Sequence, residues 1–202
     1  VQAARDFGAE AVLTGSHPPN GTSRIGEAAA MLGLDARQLV VNVQGDEPEL
    51  DPGAIDAAVE ALLRLEHDAD ARVGTIASPM DPGEDAVNPN IVKVTCDRRG
   101  CALYFSRSRI PFDRDGRGGD QARCLRHVGI YVYRRAFLDT YLTLPSTPLE
   151  QAEQLEQLRI LEHGYRIAVG EHATRHTGID TPEQYEAFVH RWLAKPTTGR
   201  PG

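Results

Sequence analysis

In Leu39-Val40-Val41-Asn42-Val43-Gln44-Gly45-Asp46-Glu47-Pro48, a short β-branched run closes on Gly and Pro with two adjacent acids between them. Such a run reads as a central strand of a parallel sheet, buried on both faces. The acids then stand at its carboxyl end, where open α/β sheets bind their ligands and where a carboxylate can hold a divalent cation against phosphates. Read by itself, the segment fits a Pro-terminated turn with solvated acids equally well.

Working outward, the pattern alternates. A helix tail over residues 1–8 precedes a short strand at 10–14, a loop at 15–21 and an Ala-rich helix at 22–33. Beyond the opening stretch, Asp51 and Pro52 start a helix over 52–66, and 73–77 reads as the next strand. A Pro- and Asp-rich loop at 80–90 leads into 91–95 and 102–105, two strands joined by the short turn Asp97-Arg98-Arg99-Gly100. A strand at 128–133, a short helix at 136–141, one long helix at 149–163, a strand at 166–169 and a closing helix at 181–194 complete the reading. The predicted class is three-layer α/β, Rossmann-like, with a mixed, mainly parallel sheet and a small antiparallel β lobe. Residues 1–194 form one domain, 96–133 its β insertion, and the Pro-, Gly- and Thr-rich 195–202 a flexible tail.

The 202 residues suffice for one sizeable domain, and 41% hydrophobic with 25% charged residues is ordinary for a globular chain. No apolar run approaches the length of a membrane span and no charged-then-apolar leader opens the chain, so a cytoplasmic protein without membrane insertion is expected. A net charge of −7 disfavours a nucleic-acid partner, which needs a basic face. Residues 106–126 run the other way, with Arg107, Arg109, Arg114, Arg117, Arg123 and Arg126 against Asp113, Asp115 and Asp120. An Arg-rich segment in an acidic chain suits a small anionic ligand, or is a solvated loop. Cys96, Cys101 and Cys124 have neither disulfide nor zinc-knuckle spacing and are expected as reduced thiols.

Several residues are candidates for chemistry. Asp46 and the distant Asp180 are hard oxygen donors at the ends of structured elements, a set suited to Mg²⁺, although Asp180 alone also reads as the N-cap of the closing helix. Asn20-Gly21-Thr22-Ser23-Arg24 enters a helix where backbone N–H groups favour an acceptor, and also reads as ordinary capping. On the 149–163 helix, Glu150, Glu153 and Gln157 form a polar stripe beside an apolar one; it is either a solvated face or a row of sugar-hydroxyl partners. Arg107 can fork onto a carboxylate, and His127 is either a ligand donor or a strand-end histidine.

Taken together, "VVNVQGDEP", "NGTSRIGEA", "NPNIVKV", "ALYFSRSRIPFDRD", "RHVGIYVYR", "PLEQAEQLEQLRIL" and "TGIDTPEQ", in this order, closely resemble the 3-deoxy-manno-octulosonate cytidylyltransferase family. The resemblance runs from Val1 to about Trp192. It implies coupling of 3-deoxy-manno-octulosonate (Kdo) to CTP with Mg²⁺, giving CMP-Kdo and pyrophosphate for lipopolysaccharide assembly, by a homodimer with the β lobe as interface. It further implies Asp46 and Asp180 as metal ligands and catalytic groups, Thr22, Arg24 and Gln44 near the nucleotide, and Arg107, His127, Glu153, Glu156 and Gln157 in the Kdo pocket. Two departures stand out: His17-Pro18-Pro19-Asn20 replaces the usual Asp-His-x-Ser, and Ser23 stands where the family has an acid. The family's Arg- and Lys-bearing loop, resembling "PAR…STRLPGKPL", is expected before Val1, and the 202-residue chain alone is therefore expected to be nearly inactive. Rival readings are a cytidylyltransferase for sialic acid or amino-Kdo, and a non-catalytic sugar-binding relative.

Overall fold

The computed structural model describes residues 2–16, 20–81, 83–116, 124–174, 178–179 and 181–194. Its elements are α1 (Gln2–Asp6), α2 (Gly21–Met31), β1 (Leu39–Asn42), α3 (Pro52–Leu63), β2 (Ala71–Pro79), β3 (Lys93–Cys96) and β4 (Ala102–Ser106). They continue as β5 (Leu125–Arg134), α4 (Arg135–Thr143), α5 (Pro148–Glu153), α6 (Gln157–Glu162), β6 (Arg166–Glu171) and α7 (Pro182–Ala194). Local chemistry sets many of these bounds. Asp51 caps α3, its carboxylate accepting the Gly53 N–H at 3.0 Å, with Pro52 in the first turn. Gly33 and Gly164, both at positive φ, follow α2 and α6.

One six-stranded sheet runs β4-β3-β5-β2-β6, with β1 also on β5. The ten-residue β5 organises it. Its carboxyl half pairs with β1, from Leu39↔Arg134 to Asn42↔Tyr131, while its amino end pairs with β3 through Lys93↔Arg126 and Val94↔Leu125. Along its other flank runs β2, with a register shift between Thr75 and Ile76. The strands β1 and β3 therefore fork away from a common neighbour, leaving the middle of β5 uncovered by strand on that side. The β3–β4 hairpin belongs to this same sheet.

The layers are as expected. Helix α3 covers one face over Ile76, Val128, Ile130 and Val132, while Phe105, Tyr131, Tyr133, Phe137, Leu138, Tyr141, Leu158 and Ile160 fill the core on the other. Close approach of α3 depends on two glycines. A Cβ on Gly74 or Gly170 would lie 2.6 Å from the carbonyl oxygen of Ala58 or Ala57, respectively.

Four expectations change. The sheet is mixed, but among the described pairings only β2–β6 is parallel. Strand β1 is not central and parallel; it pairs antiparallel with β5, and Val41 remains 37% exposed, because β5 alone offers it a ladder. Residues 10–14 form no strand, having no ladder partner among the described residues. The helix at 149–163 is broken into α5 and α6 at Gln154, which adopts φ 53°, ψ 48° with neither Gly nor Pro to announce it.

Candidate active site

The fork in the sheet opens a cleft of about 850 Å³, lined among others by Glu47, Asn88, Asn90, Arg107, His127 and Gly129. Gly129 is its floor. A Cβ there would come within 3.8 Å of Gln44 Cγ and 3.9 Å of Glu47 Oε1, so the loop after β1 leans over the uncovered middle of β5. Asp46 is exposed on that loop, and its carbonyl accepts the Ile179 N–H at 2.8 Å. The segment that carries Asp180 is thus tied to the Asp46 loop; Asp180 itself lies outside the described residues. At the start of α7 the Thr181 hydroxyl accepts the Gln184 N–H (3.3 Å) while Gln184 accepts the Thr181 N–H (2.9 Å).

The opposite wall is held by two cations that donate to backbone carbonyls. Lys93 is fully buried, and its ammonium donates to the carbonyls of Asn88 (2.9 Å), Ile91 (2.6 Å) and Arg107. Three donors meet three acceptors, which offsets the desolvation that pushes its pKa down. Arg107 donates to the carbonyls of Pro89 (2.9 Å), Glu153 (2.8 Å) and Gln154 (3.4 Å). These bonds take the carbonyls exposed where α5 ends, which explains a break with no breaker in the sequence. The Glu153 carboxylate completes the corner, accepting from the Ser106 hydroxyl (2.7 Å) and the Arg107 N–H (2.9 Å). Burial raises its pKa, but these bonds and that of Tyr104 outweigh burial and hold it below the ordinary glutamate value.

Along β5 an aromatic row links this wall to a second polar cluster. Phe105 meets His127 edge-on at 5.0 Å, His127 lies 5.4 Å from Tyr131, and Tyr131 stacks on Tyr133 at 5.9 Å. Burial lowers the His127 pKa to about 3, so the ring is neutral. Thr75 Oγ1 lies 2.9 Å from its Nε2. At the far end, Tyr133 shares a hydrogen bond with the buried Thr22 hydroxyl (2.9 Å), and Glu156 accepts the Thr22 N–H (3.3 Å). Burial raises the Glu156 pKa.

The structure brings Arg107 and His127 to one cleft, with Gln44 beside its Gly129 floor, Asp46 on the adjoining loop and Glu153 bracing the Arg107 wall. Thr22 and Glu156 pair with each other at the end of the aromatic row. Gln157 is buried at the start of α6. Arg24 turns elsewhere, to the Thr14 hydroxyl at 2.7 Å. Thr75, Lys93, Gly129 and Tyr131 were not singled out from sequence. The detectable signal was Lys93, a charge inside the otherwise strand-like Ile91-Val92-Lys93-Val94-Thr95. Among the described residues no three His, Cys, Asp or Glu side chains gather as a metal cluster, and no helix is long and apolar enough to cross a membrane.

Comparison with known proteins agrees with this geometry. The cytidylyltransferase family profile matches residues 1–167. A 3-deoxy-manno-octulosonate cytidylyltransferase of Solibacter usitatus (strain Ellin6076) is 48% identical over 197 residues, covering 98% of this chain and 75% of the relative. The chain belongs to the 3-deoxy-manno-octulosonate cytidylyltransferase family. The same-named protein of Syntrophobacter fumaroxidans (strain DSM 10017 / MPOB) is 48% identical over 187 residues, covering 93% of this chain and 73% of that one. A solved structure described as CMP:2-keto-3-deoxy-manno-octonic acid synthetase complexed with CTP superimposes with a TM-score of 0.83 at 37% identity, over 95% of this chain and 76% of that one. A Bacillus anthracis structure described as a putative glucose-1-phosphate thymidylyltransferase, 11% identical with a TM-score of 0.58 over 96% of this chain and 69% of that one, shares the fold alone. As a 3-deoxy-manno-octulosonate cytidylyltransferase family member the chain is a nucleotidyltransferase, and the sequence reading of its family and fold class holds.

Proposed function

We propose that the chain transfers CMP from CTP to Kdo. The anomeric oxygen of Kdo attacks the α-phosphorus, the bond to the β-phosphate bridging oxygen breaks, and pyrophosphate leaves. The observation that carries this reading is the fork itself, which sets the Asp46 loop and the Gly178–Ile179 segment on one side of the cleft and Arg107 and His127 on the other. Phosphoryl transfer asks mainly for positioning and charge neutralisation, which such a cleft can provide.

Asp46 and Asp180 are the residues that would hold Mg²⁺. The exposed Asp46 carboxylate fits a hard cation that takes one or two carboxylates plus phosphate oxygens. When bound, the ion supplies charge neutralisation of the phosphates. On the protein side, Gln44, Thr22 and Arg24 serve the nucleotide, and Arg107, His127, Glu153, Glu156 and Gln157 the sugar. Homodimerisation through the 96–133 region is supported by Leu103 and Phe112, 63% and 84% exposed. The proposed setting is the cytoplasmic supply of CMP-Kdo for lipopolysaccharide.

The test is pyrophosphate release from CTP, with and without Kdo and Mg²⁺, by the chain alone and by the chain preceded by the strand and basic loop expected from its resemblance. Kdo-dependent release that Asp46→Ala and Asp180→Ala each cut roughly 100-fold or more supports the reading. Release with a sialic acid and none with Kdo would move the substrate; none with any keto sugar acid would sink the enzymatic reading.

A further inference from the structure

We infer that Thr75 fixes His127 in the tautomer protonated on Nε2, so that Nδ1 faces the cleft as a hydrogen-bond acceptor that selects a ligand hydroxyl. The tautomer is set at the β2–β5 register shift. Consecutive Thr75 and Ile76 pair with Tyr131 and Val128, so Gly129 and Ile130 bulge out of the ladder. The Thr75 side chain, fully buried, fills this place. Its hydroxyl donates to the Ile130 carbonyl at 2.7 Å, with the Val128 carbonyl farther off at 3.4 Å.

A threonine hydroxyl has one proton. Given to the imidazole instead, it would leave two oxygen lone pairs facing each other at 2.7 Å inside the sheet. With the proton on the Ile130 side, Thr75 Oγ1 can only accept at its 2.9 Å contact with His127, and Nε2 must carry the hydrogen. In a neutral ring Nδ1 is then unprotonated. Burial favours this neutral form. Among the described residues Nδ1 has no hydrogen-bond partner, nor is it one of the buried, unsatisfied atoms, and His127 lines the cleft. Phe105 and Tyr131 brace the ring on either side.

The consequence for recognition is directional. An acceptor nitrogen attracts a hydroxyl and repels a carboxylate or phosphate oxygen, so His127 reads the polyol part of a sugar acid and leaves its charge to other groups. Thr75 is a positioning residue, acting through the ring.

Only the identity of the ligand rests on the function proposed above, and the tautomer is measurable without it. Long-range ¹H–¹⁵N correlation spectra of the ¹⁵N-histidine-labelled chain at neutral pH, assigned with His127→Phe, should show His127 Nε2 protonated and Nδ1 bare. Thr75→Ser should keep that pattern and Thr75→Val lose it. In titrations, Thr75→Val should bind Kdo about tenfold more weakly or worse, with CTP affinity changed less than about twofold; Thr75→Ser should recover Kdo binding. A wild-type ring protonated on Nδ1 overturns the inference, as does a Thr75→Val chain that loses the tautomer yet binds Kdo like wild type. If the wild-type chain binds no Kdo, the proposed function falls, while the ligand-free spectrum still decides the tautomer.

Discussion

Lys93 shows how much one side chain can organise. Removing its ammonium leaves the carbonyls of Asn88, Ile91 and Arg107 without their common donor. Lys93→Met, close in volume, should therefore cost about 2–4 kcal/mol of stability, from buried acceptors at about 1–3 kcal/mol each with partial rescue by water. Urea melts check the size, and a lower midpoint with unchanged slope is the expected form. His127 sets a pH dependence of definite sign. Its folded pKa, lowered to about 3, lies below the unfolded value near 6.5, so between these limits the unfolded chain binds the extra proton. Stability present above pH 6.5 is lost on acidification, by up to about 1.4 kcal/mol per pH unit from this ring. Wild type should fall more steeply than His127→Phe between pH 6.5 and 4 in thermal melts, and parallel curves would remove the ring from the account.

At the scale of elements, the glycines under α3 make the clearest prediction. Gly74→Ala places a methyl 2.6 Å from the Ala58 carbonyl, a backbone atom that cannot swing aside. The helix must lift from β2, at a cost of about 1–3 kcal/mol or more. Guanidinium unfolding measures it, and Gly170→Ala should behave alike against Ala57. Most elements were legible from periodicity and caps: Asp51 with Pro52 announces α3, and the Asp97–Gly100 turn announces the β3–β4 hairpin. What escaped was set by distant partners. The kink at Gln154 is maintained by Arg107, far off in sequence, and the place of β1 by its pairing with β5. The candidate site divides the same way. Asp46, Gln44, Arg107 and His127 were singled out through motifs, whereas Thr75 matters only because a register shift sets its hydroxyl against His127.

For the whole molecule, the ladder predicts an order of opening. Strands β2 and β5 are held by the longest ladders of the sheet, whereas β1 is attached through β5 alone and the β3–β4 hairpin through two residue pairs with β5 and the Cys101–Ala168 bridge to β6. Native-state hydrogen exchange should give the slowest amides in β2 and β5, with β1 and the β3–β4 hairpin exchanging earlier and independently of each other. Simultaneous exchange of β1 and the hairpin would show a coupling that the ladder lacks. The fork thus has a consequence for descent as well as for folding. One bank of the cleft can accumulate substitutions without shifting the hydrogen-bond register of the other. A lineage can then retune which sugar acid it accepts through the hairpin bank while the bank carrying Asp46 is inherited unaltered.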